Sequence, residues 1–234
     1  MPKVPARVFE NHLIALLSRR DRSRLLALGE PFELVLGDVL CEPGKLASHV
    51  YFPTEGFISL LTTASGSPGL EVGMVGTEGM LGSHLALGVA TCPLCAMVQG
   101  SGVATRIEAK AFRGELGKSP SLQRILGHYI YVLMAQQAAA AACLRYHLIG
   151  PRLARWLLMS QDRAHSPAFR VTQEFLAHML GVRRVGVTAA ARALYRTGLI
   201  DYHRGDLKVL DRAGLEAAAC GCYAADRRSY DALL

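Results

Sequence analysis

Between Lys45 and Arg106 the chain carries no lysine or arginine, only Glu55, Glu71 and Glu78. A phosphate buried among these residues would find no side-chain cation to pair with. The six cysteines, at 41, 92, 95, 143, 220 and 222, lack the spacing of an extracellular disulfide framework, so reduced thiols are expected. No secretory signal is visible, because Arg19, Arg20, Arg22 and Arg24 stand where an apolar core would have to lie. The one long uncharged run, 125–144, contains His128, Gln136, Gln137 and a block of alanines. It is too weakly apolar for a membrane span and reads as a buried helix. A cytoplasmic chain with no membrane partner is expected.

Catalytic spacing is missing as well. No nucleophile elbow occurs. The segment GTEGMLG, 76–82, lacks the Gly-Lys-Ser/Thr ending of a phosphate-binding loop and the βαβ setting of a dinucleotide fingerprint. Neither an enzyme nor a cofactor is expected.

What is present is a chain of 234 residues, 51% hydrophobic, with a net charge of +7 and a pI near 9.3. Such a chain can bury one large core or two modest ones, and its apolar content excludes disorder. The charge points to an anionic partner: nucleic acid, membrane or a phosphorylated ligand. Its distribution is uneven. From Arg152 to Arg204 there are nine arginines against Asp162, Glu174 and Asp201. That shift, set beside the cation-free interval, suggests two domains with different partners.

Residues 11–28 read as helical, with a capping-box-like restart at Ser18 and Asp21. From Pro31 the texture changes to short apolar runs: PFELVL, HVYFP, GFISLLTT, GLEVGMV, LCAMVQ and GVATRIEA. Gly37-Asp38, Pro43-Gly44 and the Gly66–Gly69 turn separate them. Short strands at this spacing predict an antiparallel, jelly-roll-like β-roll over 31–109. Ser119-Pro120 then starts a long helix, serine as N-cap and proline in the first turn. Leu122, Leu126, Tyr129, Leu133, Gln136, Ala140 and Cys143 alternate steps of four and three. That heptad predicts a dimer seam. Gly150-Pro151 is expected to break this helix before a second one over 151–164. The predicted fold class is α+β with two domains: the β-roll over 1–118, the long dimerisation helix over 119–149, and a DNA-binding domain over 150–234.

The reason for assigning DNA to the last segment begins at Thr172. Thr172 caps a short helix carrying Phe175, Leu176, Met179 and Leu180, and Ala177 stands four residues before Gly181. Val187, Ala190 and Leu194 then face inward from a second helix. A small residue, a glycine four later and a β-branched residue six after that form helix-turn-helix spacing. Residues 199–210 read as a hairpin around Gly205-Asp206, placing a wing after the motif. Major-groove readout is expected from Arg183, Arg184, Gly186, Thr188 and Arg192, with Arg184 first because arginine pairs bidentately with guanine. Gly186 is expected to allow close approach to DNA. Thr172 and Gln173 would hold phosphates at the start of the first helix, and His203, Arg204 and Lys208 would do so from the wing.

With these parts in this order, the chain resembles the Crp/Fnr superfamily of bacterial transcription regulators. The stretch VTQEFLAHMLGVRRVGVTAAARALYRTGLIDYHRGDLKVLD carries most of the resemblance, then VLCEPGKLASHVYFPTEGFISLL; together the likeness spans about 9–222. The resemblance implies a homodimer on a pseudo-palindromic double-stranded operator, a cyclic-nucleotide-binding-like sensor roll, a coupling helix, and RNA polymerase as a further partner. Arg184 corresponds to the family's recognition arginine. Val185 replaces the acidic residue that often follows it, and Ala189 replaces a second basic position. The family's nucleotide site maps onto Gly76, Glu78, Gly79, Leu81, Gly82, Leu94 and Cys95. Leu94 and Cys95 fall near its Arg-Ser pair, so control by cyclic AMP is not expected and the small-molecule effector is left unassigned.

Cys92-Pro-Leu-Cys95 has redox or metal spacing, but no compact four-cysteine set is apparent. Cys220 and Cys222 lie in the C-terminal segment, away from the roll, and Cys143 reads as a small apolar seam residue. His49 and His84 read as ordinary hydrogen-bonding residues. No metal site is therefore expected. A redox- or metal-responsive regulator on the same scaffold is the alternative, and a protein-interaction module that does not bind DNA a remoter one.

Overall fold

The computed structural model describes residues 10–62 and 69–234; the expected turn at Gly66–Pro68 lies outside them. Asn11 caps α1 (His12–Ala15), and its amide also donates to the carbonyls of Pro53 and Gly79 at 3.0 and 2.7 Å. Ser18 accepts from the Asp21 N–H and starts α2 (Arg19–Leu26), as the capping pattern predicts. The roll follows as β1 (Gly29–Leu34), β2 (Val39–Cys41), β3 (His49–Thr62), β4 (Leu70–Val75) and β5 (Cys95–Glu108). All pairings are antiparallel, in the order β1-β5-β3-β4, with β2 also on β5.

Two differences from the sequence reading have local causes. HVYFP and GFISLLTT form one strand, and LCAMVQ and GVATRIEA form another, each bent rather than interrupted. Register shifts cluster at Pro53–Ile58. Gly56 has φ +76°, and a Cβ there would lie 2.3 Å from the Gly100 carbonyl oxygen. Glycine-supported bulges let a long strand turn a corner without ending. The second difference is covalent: Cys41 and Cys92 form a disulfide, with Cα atoms 6.4 Å apart, where reduced thiols were expected. The folded loop brings them together through backbone bonds from Gly44 to Cys92 and from Cys92 to Lys45.

After α3 (Ala109–Leu116), Ser119 caps α4 (Pro120–Tyr146). Here the expected dimer seam is corrected. Leu122, Leu126 and Tyr129 are buried inside their own chain with Leu13, Val50, Phe52, Ile107 and Phe112, and Leu133 packs against this cluster. Tyr129 also donates to the Met80 carbonyl at 3.3 Å. Gln136 and Ala140 are half-buried beside a cleft against the winged segment, and Cys143 is buried against Cys220. Folding of the roll onto α4 consumes the face that the heptad assigns to a partner.

The helix breaks at His147 and Leu148, earlier than Gly150-Pro151 suggests. Proline lacks a donor that the first helical turn does not need, so both residues fit the opening turn of α5 (Ile149–Ala164). The remaining elements are β6 (Ala168–Arg170), α6 (Gln173–Leu180), α7 (Arg184–Arg196), β7 (Ile200–His203), β8 (Asp206–Val209), α8 (Arg212–Ala218) and α9 (Cys222–Asp231).

Roll and winged segment share a core. Phe57, Leu61 and Met74 from the roll pack with Leu153, Trp156, Leu157 and Leu176. At this junction the Glu71 carboxylate accepts from the Ser59 hydroxyl at 2.5 Å and from the Trp156 ring N–H at 2.9 Å. Burial overrides both bonds and moves Glu71 from its ordinary 4.5 to about 7. Below pH 4.5 folded and unfolded chains both hold the proton. Above 7 the folded chain carries a poorly solvated carboxylate, so this residue's contribution to stability falls as pH rises between those values. Glu71→Gln keeps an acceptor for Trp156 and a donor for Ser59. It should raise stability at pH 8 by about 2–3 kcal/mol relative to wild type and leave pH 4 nearly unchanged. Denaturant unfolding at both pH values checks this; an equal offset at each would refute it.

Candidate nucleic-acid interface

Thr172 accepts from the Phe175 N–H at 3.1 Å and so fixes the start of α6. Gly181 ends that helix in the left-handed region, φ +61°, where a Cβ is disfavoured and would also meet Leu70 at 2.7 Å. Ala177 is buried at the helix crossing, and Val187 and Leu194 point inward as expected. Ala191 rather than Ala190 is the fully buried alanine between them.

The wing is a three-stranded sheet, β6-β8-β7, rather than a lone hairpin. Its turn is Arg204-Gly205, one residue earlier than predicted, with φ +49° and +92°. Two successive left-handed residues match the right-handed twist of the flanking strands. Arg204 is thus held at the tip by backbone geometry, with His203 and Lys208 exposed beside it.

Thr172, Gln173, Arg184, Tyr202, Arg204 and Gly205 line one open cleft of about 340 Å³ between the helix pair and the wing. Tyr202, whose place in the cleft depends on the wing packing against the helix pair and has no local sequence signal, donates to the Val171 carbonyl at 2.8 Å. Burial raises its pKa, and the nearby Arg184 charge opposes that shift. Arg183 is exposed at the N-cap of α7, and Arg184 and Arg192 are exposed on the helix, alongside Val185 and Ala189.

Two expected contacts are corrected. Gly186 faces its own chain: a Cβ there would lie 2.6 Å from the Ile149 side chain, so glycine serves helix packing rather than approach to DNA. The Thr188 hydroxyl donates to Gln173 at 2.6 Å and also lies 3.0 Å from the Arg184 carbonyl. It braces the two helices internally.

The residues assigned to an effector separate into two places. Leu81, Gly82 and Leu94 line an apolar cavity of about 100 Å³ between the roll and α4, with Leu133 and Gln137 on its helical side. His84 also lines it. Its Nε2 is buried with no hydrogen-bond partner, and burial lowers its pKa. Glu78 instead turns to the winged segment, pairing with Arg163 at 2.7 Å and accepting from the Gly76 N–H at 3.2 Å. Gly79 lies beneath the Tyr129 hydroxyl, and Cys95 packs on the core shared with the winged segment.

The chain thus combines a β-roll, a long helix and a winged helix-turn-helix with arginines exposed on its second helix. Residues 151–218 match a Crp-like helix-turn-helix domain, and the fold of the chain is similar to that of solved Crp/Fnr-family regulators. FixK2 from Bradyrhizobium japonicum superposes with a TM-score of 0.69 at 14% identity, covering 82% of this chain and 98% of its own. The c-di-GMP-responsive regulator CLP of Xanthomonas campestris gives 0.67 at 16%, covering 83% and 100%. TTHA1359, a CRP/FNR-family regulator of Thermus thermophilus, gives 0.66 at 20%, covering 81% and 98%. No curated protein matches the chain. Among the described residues no helix is long and apolar enough to cross a membrane.

Proposed function

We propose that the protein is a cytoplasmic, homodimeric, sequence-specific transcription regulator that binds double-stranded DNA and is not controlled by cyclic AMP. It is not an enzyme, and it would meet RNA polymerase at its operators. The observation that carries this reading is the cleft where Arg184, Arg204, Thr172 and Gln173 converge beneath an exposed arginine-bearing helix. Arg184 and Arg192 supply base-edge and backbone contacts from α7; Arg183, Thr172, Gln173, His203, Arg204 and Lys208 contact phosphates. The working division is a roll over 1–118, a helix over 119–149 and a DNA-binding domain over 150–234.

A dimer places two α7 helices in successive major grooves, with half-sites about 34 Å apart. The face of α4 open to a partner is Gly127, Tyr131, Met134, Ala138 and Ala141, again in steps of four and three. Cyclic AMP is disfavoured because the roll cavity, at about 100 Å³, is well below the usual range for small-molecule sites and has no cation in its lining.

Selecting bound DNA from a random pool, with and without cyclic AMP, tests the proposal. One pseudo-palindromic sequence recovered equally under both conditions is expected. Recovery that depends on the nucleotide would overturn the cyclic-AMP part, and unselective recovery the sequence-specific part. On the selected site, Arg184→Ala should lose about 1–3 kcal/mol and relax specificity at one base position. Equal weakening on every sequence would make Arg184 a phosphate contact.

A further inference from the structure

Four ligand-type side chains converge where the long helix meets the winged segment. Cys143 and His147 lie four residues apart, at the end of α4 and its C-cap, and so share one face. Cys220 comes from the link between α8 and α9, and Cys222 is the first residue of α9. Their ligand atoms all lie within 4.8 Å of one another. Cys143 Sγ is 3.5 Å from Cys220 Sγ, and Cys222 Sγ is 3.6 Å from His147 Nδ1. The cysteines are therefore not unrelated, as the sequence suggests: the chain path gathers residues 77 positions apart.

We propose that Cys143, His147, Cys220 and Cys222 form a tetrahedral zinc site that staples the end of α4 to the winged segment. Zinc–thiolate bonds of about 2.3 Å give a tetrahedron with edges of about 3.8 Å. The Cys143–Cys220 and Cys222–His147 separations lie within a few tenths of an ångström of that value. Iron–sulfur clusters distribute their cysteines over several irons, whereas these four donors are close enough to share a single ion. Three sulfurs and an imidazole favour zinc over magnesium or calcium, which take oxygen ligands. Four protein ligands close the coordination shell, the mark of a structural site.

The charge balance supplies a second, independent argument. Three thiolates around a divalent ion leave one net negative charge; coordination sends three thiol protons to solvent, and neutral His147 contributes a lone pair. Arg152 lines the same cleft as Cys143. It is buried, donates to the Leu180 carbonyl, and has no carboxylate partner among the described residues. Its neighbour Arg155 is already paired with Asp226 at 2.6 Å. A buried cation without a counter-ion is costly, and an anionic metal centre beside Arg152 supplies one. Cys143 and Cys220 are buried, while Cys222 and His147 lie at the accessible edge through which an ion would enter. The Cys220 N–H bond to Pro151 O, at 3.3 Å, ties the same loop to the first turn of α5. Occupation would thus fix the His147–Leu148 break between α4 and α5.

The test uses the full chain, reduced and metal-free, titrated with Co²⁺ alone and followed by absorption spectroscopy. One Co²⁺ per chain is expected, with thiolate charge-transfer absorption and the intense visible bands of a tetrahedral centre. One equivalent of Zn²⁺ should abolish both and raise the Tm. Cys222→Ser and His147→Ala change only the accessible edge and should each weaken binding roughly tenfold or more. Cys95→Ser, a free thiol elsewhere, should leave binding unchanged. With the three site thiols, Cys143, Cys220 and Cys222, free by titration, no cobalt uptake would overturn the site. So would uptake indifferent to Cys222 and His147, or a Cys143–Cys220 disulfide with no uptake after its reduction. The readout uses no DNA, so it stands or falls separately from the regulator proposal.

Discussion

Trp156→Ala is expected to lower the unfolding free energy by about 3–5 kcal/mol, the range for removing a large aromatic side chain from a core. Trp156 packs edge-on against Phe169 and Phe175, with centroid distances of 6.3 and 6.4 Å, and belongs to the cluster that also holds Phe57, Leu61 and Met74. Truncation opens a cavity where roll and winged segment meet. It also removes the N–H that Glu71 accepts at 2.9 Å, leaving one side of that carboxylate unsatisfied. For a chain of this size the loss corresponds to a fall in Tm of roughly 6–20 °C. Trp156→Phe separates the two effects: it keeps most of the packing and loses only the donor, so about 1–3 kcal/mol should go. Calorimetry of both variants checks the ordering. A loss below about 1 kcal/mol for the alanine variant would mean that roll and winged segment do not share a core in solution.

The helix-turn-helix was the most legible part of the sequence because its determinants are local. Thr172 bonds three residues along, Gly181 needs its positive φ wherever the rest of the chain lies, and Val187 faces a helix a few residues away. What escaped depended on distant partners. The apolar residues of α4 support two heptad stripes. Leu122, Leu126 and Tyr129 make one; Gly127, Tyr131 and Met134 make the other. Only the packing of Val50, Phe52 and Phe112 against the first decides which is consumed inside the chain. Gly186 reads equally well as a DNA-facing or a packing glycine until Ile149 is placed beside it. The cysteine group was illegible for the same reason: Cys143 lies at the end of one helix and Cys220 beyond the wing, and no local spacing joins them. The strand breaks were overcounted because a glycine that ends a strand and one that bends it look alike in sequence.

Met134→Asp is the substitution that tells the two stripes apart. Met134 is 67% exposed and Tyr131 63% exposed, so a carboxylate at 134 should leave the folded chain's stability within about 0.5 kcal/mol of wild type. Across a helix-on-helix dimer interface, however, it would lie in an apolar seam against its own symmetry mate, where two like charges cannot be accommodated. On the proposed dimer, wild type is expected to sediment as a dimer and the variant as a monomer. Its affinity for a two-half-site operator should fall about 10²–10⁴-fold, because the second half-site no longer benefits from the first. Leu126→Ala should behave in the opposite way. Leu126 is wholly buried inside its own chain, so truncation costs about 2–5 kcal/mol of stability. The chains that stay folded should still associate. A Met134→Asp protein that remains dimeric would put the interface elsewhere, and a Leu126→Ala protein that dissociates without losing stability would restore the buried stripe as the seam.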